Sequence, residues 1–64
     1  MQPHQQRVVD EASELSDKLV KLIAFIEESN IYQSFESTQQ TLLRAQTGAM
    51  RAYLEVLNLR IDSF

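Results

Sequence analysis

Residues 8–26 read VVDEASELSDKLVKLIAFI, and within them Val8, Ala12, Leu15, Leu19, Leu22 and Ile26 are spaced four, three, four, three and four. Apolar residues at that interval share one face of an α-helix, and no strand alternation fits the run. Before this stripe, Pro3 stands where the first turn of a helix tolerates proline. Asp10, Glu11 and Glu14 lie early in the segment, toward the positive end of the helix dipole. A first helix is therefore expected over residues 3–28. Ser29 and Asn30 interrupt the pattern, with Asn30 the expected left-handed terminator. Ile31, Tyr32 and Phe35 make the connection, residues 29–37, too apolar for a free loop; they are expected to plug the end of the pair in a single helical turn. Ser37 followed by Gln40 reads as a capping box, opening a second helix over about residues 38–62.

The second helix carries two apolar stripes. Leu43, Gln46, Met50, Tyr53, Leu57, Ile61 and Phe64 form the first, expected to face helix 1. Leu42, Ala45, Ala49, Ala52, Val56 and Leu59 form the second, about 100° away around the helix. A helix buried against a single neighbour needs one stripe, so the second calls for another chain. Gly48 in mid-helix costs about 1 kcal/mol relative to alanine. It reads either as a point of close backbone approach or as a tolerated surface glycine. Val9, Val20, Ile23 and Phe25 also lie outside the main stripe of helix 1. The expected fold is all-α, one domain over residues 1–64: an antiparallel two-helix hairpin with a short plugged connection. It is expected to assemble into a helical homo-oligomer through Ala45, Gly48, Ala49, Ala52 and Val56.

Composition points the same way. A chain of 64 residues and 7.4 kDa has a thin core. With no cysteine and one histidine it has no disulfide to staple that core and no soft-metal or His-based zinc site. Association is the remaining remedy. Six basic residues against nine acidic give a net charge of −3, which disfavours a long nucleic acid as partner. The longest uncharged apolar run, Leu22–Ile26, is far below the roughly 20 residues a membrane span needs. Met1-Gln2-Pro3-His4 has no basic segment leading into an apolar one, so secretion is not expected. No cysteine nucleophile, glycine-rich phosphate loop or histidine pair is present, and the serines lack an activating context. No catalytic residue, metal or cofactor is expected. Asp10, Glu11, Glu14 and Asp17 read as a solvated face.

With the turn centred near Tyr32, Leu15 should face Met50, Leu22 should face Leu43, and Ala12 should face Tyr53. The same geometry brings His4, Gln5 and Arg7 beside Arg60 and Ile61. At this open end a small anionic ligand finds planar guanidinium forks on Arg7 and Arg60 and the free amides of a helix N-terminus. Tyr53 or His4 offers a ring on which a base stacks. A second reading pairs Arg7 and Arg60 with Asp10, Glu11 or Asp62 on a wet surface and leaves Tyr53 in the core.

The run Pro3-His4-Gln5-Gln6-Arg7-Val8-Val9-Asp10-Glu11, followed by Leu15, Lys18, Leu19, Leu22 and Phe25-Ile26, resembles a family of very small phage and prophage proteins, including relatives in crAss-like phages. Leu43, Gln46, Met50, Tyr53, Leu57, Arg60-Ile61 and Phe64 match its second half. The chain departs from the family after the connection, where Phe35-Glu36-Ser37-Thr38-Gln39 replaces a proline and an acidic run. At the level of a helical hairpin the family is similar to phage anti-defence sponges, which hold the cyclic nucleotide messengers of CBASS or Thoeris immunity between subunits. The resemblance implies a protein of the host bacterial cytoplasm that binds such a signal without cleaving it, and it favours a hexamer. His4, Gln5, Arg7, Tyr53 and Arg60 are the candidate ligand residues. The alternative is an oligomeric helical module that contacts and inhibits a host protein.

Overall fold

A computed structural model describes residues 1–64. Its elements are α1 (Pro3–Glu28), α2 (Asn30–Ser34) and α3 (Ser37–Asp62). α1 starts from Gln2, whose extended backbone leaves its carbonyl to accept the N–H groups of Gln5 and Gln6, both at 3.0 Å. The Gln5 side chain returns the contact, its Oε1 accepting the Gln2 N–H at 2.8 Å. Amides that a helix start leaves unpaired are satisfied in this way.

The connection differs from the expected one in two respects. No residue has a positive φ, so Asn30 is not a left-handed terminator; it is the first residue of α2. Ser29 makes the break instead. Its extended backbone ends α1, and its Oγ accepts the Ile31 N–H at 3.1 Å, so one serine closes one helix and caps the next. Nor do Ser37 and Gln40 form a capping box, because Glu36 is the residue before α3 and Ser37 is its first. The Gln40 side chain reaches back to α2, donating from Nε2 to the Tyr32 carbonyl at 2.9 Å. The Tyr32 hydroxyl donates in turn to the Gln40 carbonyl at 3.3 Å. The Tyr32 carbonyl also accepts the Phe35 N–H at 3.1 Å, and the partly buried bond from Gln40 gives it a second donor.

Around this tie, Phe25, Tyr32 and Phe35 form a triangle with ring centroids 6.0–6.3 Å apart in tilted and edge-on arrangements. Tyr32 is 3% exposed, and the Arg44 guanidinium lies 6.0 Å from its ring centroid, within cation–π reach. Ile31, expected in the plug, points outward.

α1 and α3 pack along one another, with overall dimensions of 45 × 15 × 13 Å. Val8 and Ala12, near the start of α1, close on Leu57, near the end of α3, so the two helices run in opposite directions. Leu15, Leu54 and Ile61 pack against that cluster. The sheltered face of α1 follows the expected stripe: Val8, Ala12, Leu15, Leu19, Leu22 and Ile26. On α3 the sheltered face runs through Gln40, Leu43, Thr47, Met50, Leu54, Leu57 and Ile61. Thr47 and Leu54 thus take the places expected for Gln46 and Tyr53, which are exposed. Both rotations keep the helical interval. The one adopted shelters the wholly apolar Leu54 and leaves the polar ends of Gln46 and Tyr53 in water.

Only five of the 64 residues are buried, and Leu57, at 0% exposure, is the single large side chain fully out of water. Leu57→Ala should therefore cost about 2–5 kcal/mol of folding stability, enough to unfold a chain of this size. Gln40→Ala should cost about 1 kcal/mol by removing the tie to Tyr32. Urea melts followed by far-ultraviolet circular dichroism measure both, and a wild-type midpoint for Leu57→Ala would contradict the packing described.

Candidate functional site

At the open end of the helix pair the seam between α1 and α3 is bridged by one side-chain hydrogen bond: the Tyr53 hydroxyl donates to Glu11 Oε2. Both residues are exposed, Tyr53 at 45%. Helical spacing places Arg7 one turn before Glu11 and His4 nearly a turn before Arg7, so the three share one edge of α1. On α3, Arg60 lies two turns beyond Tyr53, close enough for its charge to act on the phenol. Arg60 also stands in the last turn of α3, where a cation complements the negative end of the dipole. The seam thus carries a phenol, a carboxylate, two guanidinium groups and an imidazole in two parallel columns.

The electrostatics of Tyr53 follow from these neighbours. Its hydroxyl titrates above the ordinary value of 10.0, first because it donates to Glu11, then through partial loss of solvent and through the negative charge of Glu11. The positive charge of Arg60 opposes the shift. A neutral phenol that donates to an oxygen acceptor is the resulting state over the physiological range.

The sequence-derived residues are distributed as follows. His4, Arg7 and Arg60 are exposed with their side chains toward water. Gln5 is half-buried, and its amide oxygen is engaged at the start of α1 rather than presented to a ligand. Ala12 packs with Leu57, and the residue that meets Tyr53 is Glu11. Glu11 was expected on a solvated acidic face; a turn centred near Tyr32 brings residue 11 opposite residue 53 as readily as residue 12, and that was the available signal. Ala45, Gly48, Ala49, Ala52 and Val56 all lie exposed on α3. A Cβ built on Gly48 meets nothing within 4 Å, so no neighbour inside the chain requires glycine there.

Concavity lies elsewhere. The one recess, about 270 Å³ and open to solvent, is at the connection end and is lined by Phe35, Gln39, Leu42 and Leu43. No three His, Asp or Glu side chains are grouped to hold a metal ion, and no helix is long and apolar enough to cross a membrane.

A long helix pair with a thin core, a charged seam and an uncovered apolar face defines a small all-helical protein built around its surfaces. Residues 2–63, nearly the whole chain, match the family described as Sequestin, and the chain belongs to that family. No curated protein and no solved structure matches it.

Absorbance titration of tyrosinate tests the seam directly. Tyr53 should ionise above its ordinary value, Glu11→Ala should bring it down, and Arg60→Ala should push it further up. Because the folded-state value is raised, the stabilisation from this bond is present below the unfolded-state value of about 10 and is lost as pH rises through the folded one. A titration of Glu11→Ala identical to that of the wild type would show that the bond does not persist in solution.

Proposed function

We propose that this chain is a homo-oligomeric sponge. It holds a nucleotide-derived immune signal, of cyclic oligonucleotide or cyclic ADP-ribose type, in the host bacterial cytoplasm and does not cleave it. Membership of the Sequestin family is the observation that carries this reading, since the family's name speaks of sequestration. The seam supplies chemistry suited to such a ligand. Arg7 and Arg60 offer bidentate donors to phosphate oxygens, Tyr53 and His4 offer rings, and the Glu11 carboxylate accepts from ribose hydroxyls. Sequestration needs tight stoichiometric binding rather than turnover, so a site without a reaction centre is sufficient.

The seam lies on an open surface, and a ligand pocket needs walls that bury most of the ligand. A second copy of the chain supplies those walls in this reading. The uncovered apolar face of α3, with Leu42 at 64% and Leu59 at 59% exposure, also favours a second reading, a module that binds a host protein.

Calorimetric titration against cyclic di- and trinucleotides and cyclic ADP-ribose isomers separates the two. The sponge reading expects micromolar or tighter binding, with the ligand recovered intact after denaturation. Arg7→Ala and Arg60→Ala should each weaken binding by roughly 1.5–3 kcal/mol. Arg51→Ala, of equal charge on another face of α3, should change it little. Equal, salt-sensitive losses at Arg51 and Arg60 would indicate diffuse attraction rather than a site, and no binding across the panel would favour the host-protein reading.

A further inference from the structure

We infer that the uncovered face of α3 pairs with the same face of a second copy, antiparallel, about a two-fold axis beside Ala49. This specifies the association in the reading above and does not depend on which ligand is bound. A two-fold interface must be complementary to itself, and this face is so arranged. Leu42 stands seven residues before Ala49 and Val56 seven after, with Ala45 and Ala52 between them. An antiparallel pair sets Leu42 against the partner's Val56 and Ala49 against the partner's Ala49.

Charge selects the direction. Arg44 lies five residues before Ala49 and Glu55 six after, three helical turns apart on one flank. Antiparallel pairing brings Arg44 beside the partner's Glu55. Parallel pairing puts Arg44 and the partner's Glu55 three turns apart and on opposite flanks, so it gains no such pair.

Shape and area support the same occupant. Ala45, Gly48, Ala49 and Ala52 leave nothing beyond a Cβ at the crossing, and Gly48 has open space where a side chain would stand. Two helix axes can therefore approach to about 8 Å. The chain exposes 4854 Å², whereas a compact protein of its mass exposes about 4,200 Å². Covering that excess on two chains hides about 1,300 Å², which reaches the range of specific stable interfaces. Leu42 is also the lip of the recess lined by Phe35, Gln39 and Leu43, so the partner's Val56 covers it at the same time.

The chain has no cysteine, so an introduced thiol reports proximity without interference. Ala49→Cys, at the axis, lies within disulfide reach of its own copy. Under mild oxidation it should form a covalent dimer about tenfold or more faster than Glu14→Cys, whose thiol is on the far face of α1. Mixing Leu42→Cys with Val56→Cys should give mixed dimers faster than either variant alone, and this second pair guards against misfolding of the first. Light scattering on the wild type accompanies both. An oligomer that shows neither preference overturns this interface while leaving association intact. A monomer at every concentration overturns both. Rapid cross-linking in a protein that binds no nucleotide upholds the interface and removes only the sponge.

Discussion

Leu57 lies out of water between Val8 and Ala12, and the seating of that side chain sets the rotation of α3 about its own axis. With Leu57 inward, Ile61 lies one turn beyond it, and packing of Leu54 against the same cluster fixes the remaining rotation, so that Thr47 and Gln40 face inward further along. The same rotation turns Ala49, Ala52 and Val56 outward. One contact therefore decides which half of a doubly apolar helix is hidden and which is offered to the surroundings. The connection cooperates with it. The paired hydrogen bonds between Tyr32 and Gln40 hold the first turn of α3 against α2.

The rotation also makes the seam. With Leu54 inward, Tyr53 stands at the edge of the pair, where its hydroxyl reaches Glu11 on the other helix. A phenol at the edge keeps its ring face exposed, which a phenol in the core would not. The charge at this end is mixed: Arg7 and Arg60 stand among Asp10, Glu11 and Asp62 in a chain that is acidic overall.

A two-helix unit with five buried residues has little reserve of stability. It leaves Leu42, Val56 and Leu59 of α3 largely in water. Association through α3 would link folding to concentration, so that stability and ligand capture draw on the same contacts.

The sequence by itself determined that the chain is all-helical and dominated by two long helices, because three-four spacing of apolar residues is meaningful for no other element. It also determined that α3 is apolar on more sides than one neighbour can cover. Tertiary structure alone decided between two equally periodic faces of α3, since Leu43, Met50, Leu57 and Ile61 belong to both and only packing against α1 distinguishes Leu54 from Tyr53. It likewise decided that Gln40 ties α2 rather than caps α3, and that Gln5 caps α1 rather than facing a ligand. In each case the local spacing allowed two arrangements, and the contacts made in the folded chain selected one. Glu11 is the same lesson at the candidate site. Local sequence shows an acid on a polar face, and only the register of one helix on the other, a long-range property, turns it toward Tyr53.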